Sequence, residues 1–89
     1  MQLTEKIEYF TQLWCVVLPH VREPSPQDVA RWCDYESAIV ERAILRTGRR
    51  FAENKVQRDF DPTQAYRYTT GVARSMTTEQ LMNGLDEAA

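Results

Sequence analysis

No stretch of this sequence holds the roughly 18 consecutive apolar residues that a membrane-spanning helix needs. The N-terminal "MQLTEKIEYF" carries charge where a signal peptide would have an apolar centre, so it reads as a helix of the fold in a cytoplasmic chain. Glycine is scarce, at three residues in 89. There is no glycine-rich loop to cradle a phosphate, and the β-branched alternation that marks strands is missing too. The single histidine, His20, sits beside Pro19 in the proline-rich "LPHVREPSP" and reads as an exposed loop residue. No serine or cysteine has a histidine and an orienting acid to complete a nucleophilic triad. Cys15, His20 and Cys33 lack the spacing of a metal site. Asp59 and Asp61 flank Phe60 as a carboxylate pair, but helix capping accounts for Asp61. Neither catalysis nor a cofactor nor a bound metal is expected.

What the sequence does contain is helical periodicity. A chain of 89 residues makes one domain, spanning 1–89, and a modest core. Leu3, Ile7, Phe10, Trp14, Val17 and Leu18 follow helical spacing over about 4–18, with Thr4 as N-cap. Proline then breaks the helix. "SPQD" restarts it, Ser25 accepting from the Asp28 amide and Pro26 taking the first helical position. This short helix runs from Pro26 to about Asp34 and turns Val29, Trp32 and Cys33 inward. Cys15 and Cys33 lie in apolar segments and are expected to be inert core thiols, with no framework of spacings to support a disulfide.

A third helix, from Ser37 to Lys55 or Gln57, buries Ile39, Val40, Ala43, Ile44, Thr47 and Phe51, and Gly48 weakens it by about 1 kcal/mol relative to alanine. In "DFDPTQ", Asp61 caps a fourth helix, with Pro62 first and Gln64 reaching back. That helix carries Ala65, Tyr68, Thr69, Val72 and Met76 on one face. "TTEQ" reads as the start of a fifth, Thr77 capping and Leu81, Met82 and Leu85 anchoring it before an acidic end, 84–89, expected to fray. The fold class is all-α, a compact bundle of four to five short helices. Trp14, Trp32, Ile39, Ile44, Phe51, Tyr68, Val72 and Met76 are expected in one core.

Charge is divided unevenly along the chain. Residues 42–74 hold eight basic residues against three acidic ones, while the remainder holds three against ten, giving the net −2. Salt screens beyond about 8–10 Å, so this local excess matters more than the total at contact distance. At about 100° per residue, Arg42, Arg46 and Arg49 form one outward stripe on the third helix, with Arg50 at its edge. Arg67 and Arg74 point away from the Tyr68–Val72–Met76 stripe, and Lys55 and Arg58 lie between the two helices. Arginine outnumbers lysine nine to two, which suits forked contacts to phosphate. Tyr66 and Tyr68, on either side of Arg67, offer rings on which a base could stack. The same charges also fit an ordinary solvated helix surface, or a face that meets an acidic protein partner.

The succession "SPQDVARW", "YESAIVERAILRTGRRF" and "AYRYTTGVARSMTTEQL" resembles the C-terminal domain of DnaD-like primosomal and phage replication proteins. The family pattern has a Ser-Pro start to a tryptophan helix, a helix with an Ala-Ile pair, and a Tyr-x3-Ile-x3-Trp helix before a threonine-capped turn. Here that third motif is Tyr68-x3-Val72-x3-Met76, and the resemblance covers roughly residues 9–83. It implies a compact helical module, contributing to DNA binding through the motif helix and to contact with a replicative helicase. The partners it implies are therefore DNA and a replication protein such as a helicase, and the lack of a long apolar run adds the expectation of no membrane partner.

Overall fold

Four amphipathic segments of the sequence become four helices, α1 (Leu3–Val17), α2 (Pro26–Trp32), α3 (Ser37–Glu53) and α4 (Pro62–Ala88). The computed structural model describes residues 2–53 and 62–88, with side chains described for 2–51 and 63–83. No strand occurs among the described residues, and the fold is an all-α bundle. The Ser25 hydroxyl accepts from the Asp28 amide at 3.2 Å with Pro26 in the first turn, so α2 starts as its sequence predicts. It ends at Trp32, short of Asp34. The expected Asp61 cap of α4 lies outside the described residues.

α3 is the central element, packing along α4 on one side and α1 on the other, while α2 closes against α1. Phe10, Trp14 and Leu18 of the α1 end meet Val29 and Trp32 of α2, Val40 and Ile44 of α3, and Ala65 of α4 in the main core. A second, smaller cluster joins Ile39 and Ala43 to Ala73, with Tyr35, Val72 and Met76 packed against it. The expected single core is thus two. Trp14, Trp32, Ile39 and Ile44 are buried, whereas Phe51, Tyr68, Val72 and Met76 are only half-buried.

The reason lies in α4. Its innermost line is Ala65, Thr69 and Ala73, all buried, and the Tyr68–Val72–Met76 stripe flanks that line instead of forming it. Small side chains there face Ala43 and Thr47 of α3. Buried threonines remain satisfied because Thr47 Oγ1 lies 2.8 Å from Ala43 O and Thr69 Oγ1 lies 2.9 Å from Ala65 O.

The expected fifth helix is the continuation of α4. Thr77 does not cap a new start, because its hydroxyl donates to Ala73 O at 2.8 Å, and Thr78 likewise donates to Arg74 O at 3.0 Å. Threonines that bond back onto the preceding turn leave the helix unbroken. "SMTTEQ" contains neither proline nor glycine to stop it, and the acidic end is helical to Ala88. Leu81 and Met82 are 65% and 57% exposed, not anchored.

α1 shows two further departures. It begins at Leu3, and its N-cap is Gln2 without a side-chain hydrogen bond, not Thr4. Leu3 itself is exposed. In "LWCVVL" consecutive apolar residues cannot all face inward, since about 100° separates neighbours. Trp14 and Leu18 take the core, and Cys15 and Val16 are turned to solvent. Cys15 is therefore an exposed free thiol, and Cys33 a half-buried one.

Candidate nucleic-acid interface

Arg42, Arg46 and Arg49 of α3 are all exposed, as their spacing predicts. Across seven residues the stripe advances about 10.5 Å, at 1.5 Å per residue. Leu45, 52% exposed, borders the stripe, three residues after Arg42 and four before Arg49. Arg50 is exposed as well, with its guanidinium carbon 5.0 Å from the centroid of the Tyr68 ring. That ring meets Phe51 edge-on at 6.4 Å. Tyr68 therefore serves as the platform that positions Arg50 at the edge of the stripe. Lys55 and Arg58 lie outside the described residues.

Tyr66, Arg67 and Arg74 belong to a different surface. By helical spacing Arg67 and Arg74 stand on the flank of α4 that carries Tyr66 and Thr70, and this flank faces α2. Of the expected 42–74 face, Tyr66, Arg67 and Arg74 line a depression together with Arg31 and Trp32 of α2. Tyr66 is also not a free ring. It stacks on Trp32 at 5.3 Å between centroids and 24° between planes, and Trp32 stacks in turn on Trp14 at 5.7 Å and 29°. Trp14 Nε1 donates to Val21 O at 3.3 Å and Trp32 Nε1 to Thr70 Oγ1 at 2.9 Å, so both buried indoles have partners.

Sequence reasoning missed Arg31. It lies outside the 42–74 window on the short α2, yet it lines the same depression as Arg67 and Arg74. Only the α2–α4 packing through Trp32 and Tyr66 brings it there, and no spacing along the chain announces it.

Among the described residues, three groups have raised pKa values. The Glu41 carboxylate, accepting from Tyr9 OH at 3.0 Å, holds the phenol up. The Glu23 carboxylate does the same to Cys15, whose Sγ lies 3.1 Å from Oε2. Burial raises Cys33, offset in part by Lys6. Among the described residues no group of three or more His, Cys, Asp or Glu could hold a metal ion, and no helix is long and apolar enough to cross a membrane. No protein-family model, no characterised protein and no solved structure matches this chain.

Proposed function

We propose that this chain is a non-enzymatic, DnaD-like helical module of DNA replication that contacts DNA through the arginine face of α3. The observation that carries this reading is the exposed run Arg42, Arg46 and Arg49, with Arg50 held over Tyr68. Three guanidinium forks over about 10.5 Å correspond to about three nucleotides of rise at 3.4 Å per strand position. Such contacts position a protein on the phosphate backbone and read no sequence, so the affinity is weak and salt-dependent. The sequence resemblance adds a replicative helicase as a companion partner.

A second reading is a protein-interaction adaptor that uses the same face on an acidic protein. Leu45 favours it, since an apolar side chain half in solvent at the border of the arginine stripe gives a protein contact apolar area to bury and gives phosphates nothing. The test is binding of the intact protein to a short DNA duplex over a salt series. Salt-sensitive binding that Arg42→Gln, Arg46→Gln and Arg49→Gln together abolish supports the first reading. Absence of binding at low salt transfers the face to an acidic protein partner.

A further inference from the structure

Between α2 and α4 lie two depressions, of about 450 and 620 Å³, that share Arg31, Tyr66 and Arg67 and so form one trough. Arg74 extends the wall at one end and Arg22 at the other. Asp34, Asp28 and Glu23 also border the trough. Glu23 accepts from the Cys15 thiol at 3.1 Å. Four arginines against three carboxylates leave the trough with a net charge of one positive unit, and Arg31 and Arg67 line both depressions.

Its floor is rigid. Trp32 covers one face of the Tyr66 ring, and Trp32 is pinned by its bond to Thr70, whose hydroxyl also lies 3.0 Å from Tyr66 O. Tyr66 is half-buried and lines both depressions, and its hydroxyl donates to Asp28 O at 3.4 Å, which ties the ring to α2. Gly71 lies on the same wall with open space where a side chain would be. A rigid aromatic floor between arginines is the arrangement that single-stranded nucleic acid fits, with bases stacking on the ring and phosphates taken by the guanidinium forks. A duplex, whose bases already stack on each other, has no use for the ring.

We propose that the α2–α4 trough binds a single strand of nucleic acid, with Arg31 and Arg67 on phosphates and a base against Tyr66. This rests on the reading of the chain as a DNA-contacting module and adds to it a second site, separate from the α3 stripe.

The experiment compares a labelled short oligothymidylate, the same strand made abasic, and a duplex by fluorescence anisotropy at low salt. Arg31→Gln with Arg67→Gln is the trough variant, and Arg42→Gln, Arg46→Gln and Arg49→Gln together are the stripe variant. All five arginines are exposed, and circular dichroism checks that both variants fold. The trough variant should lose roughly tenfold or more for the single strand and keep its duplex affinity. The abasic strand should bind the wild-type protein about tenfold more weakly than oligothymidylate. Single-strand binding without duplex binding upholds the trough while removing the stripe reading. Three results overturn the proposal: no single-strand binding, a trough variant that binds the single strand like wild type, or abasic and thymidylate strands that bind alike.

Discussion

The hydroxyl oxygens of Thr47 on α3 and Thr69 on α4 lie 2.6 Å apart in the buried interface between the two helices. Each is also within hydrogen-bond distance of a carbonyl on its own helix, Ala43 O at 2.8 Å and Ala65 O at 2.9 Å. Two hydroxyl protons cannot fill three contacts at once. One threonine donates across the interface while the other donates to its own carbonyl, and the two arrangements exchange roles. Thr47→Val or Thr69→Val should each cost about 0.5–1.5 kcal/mol, because the surviving hydroxyl keeps only its own helix as partner. The double variant should cost less than the two added together, since replacing both partners leaves no half-satisfied pair. Urea denaturation of the four proteins measures this, and additive losses would mean the threonines act independently.

Gly48 and Gly71 occupy similar sequence positions, each inside a helix, and the structure assigns them opposite responses to alanine. A Cβ on Gly48 would collide with Val17 Cγ1 and stand 3.3 Å from Val17 O. Glycine there is what lets α1 pack closely against α3. Gly48→Ala gains about 1 kcal/mol of helix propensity but overpacks the contact by about 1–3 kcal/mol, so it should destabilise. Combining it with Val17→Ala should recover part of the loss relative to Val17→Ala alone. A Cβ on Gly71 meets nothing within 4 Å, so Gly71→Ala should stabilise by about 0.5–1 kcal/mol. Melting curves that move in the same direction for both glycines would contradict this assignment.

Cys15 is exposed yet should react slowly with thiol reagents near neutral pH. Only the thiolate attacks, and the hydrogen bond and charge of Glu23 hold the thiol in its protonated form. Glu23→Gln should lower the pKa towards the ordinary range and speed labelling of Cys15 by iodoacetamide. The stability contribution follows the same sign: it is present below the ordinary thiol range and is lost as the pH rises through the raised folded value. Equal labelling rates in the two proteins would show that Glu23 does not control the thiol.

Elements whose identity depends on local spacing were legible in the sequence. "SPQD" specifies the start of α2 through a side-chain bond three residues on, and the α3 apolar face follows a clean period through Ile39, Ala43 and Thr47. Where several apolar residues run together, as at Cys15 and Val16, period alone cannot choose which face goes inward. On α4 the large residues Tyr68, Val72 and Met76 outweighed Ala65, Thr69 and Ala73 in the pattern, but the small ones are the buried ones. The threonines at 77 and 78 can cap or bond back, and only the helix already running through them decides. Arg31 joined the candidate surface through tertiary packing alone. For the same reason Tyr66→Ala is an ambiguous probe, since removing that ring also removes a contact with Trp32.

The α3 stripe separates the two functional readings through one apolar residue. If Arg42, Arg46 and Arg49 neutralise duplex phosphates, each contact steepens the fall of log K with log salt by about 0.9. Substituting all three by glutamine should flatten that slope by roughly 2–3 units, with little change in stability because all three lie in solvent. Leu45→Gln should leave both slope and affinity nearly unchanged, because a phosphate gains nothing from the 52% exposed side chain. Against an acidic protein partner the ranking reverses: Leu45, beside Arg42 and Arg49 at the border of the stripe, supplies apolar area for the contact to bury, and its loss weakens the complex beyond any salt effect. A duplex-binding protein that is insensitive to the triple substitution but sensitive to Leu45→Gln would remove phosphate contact as the role of this face.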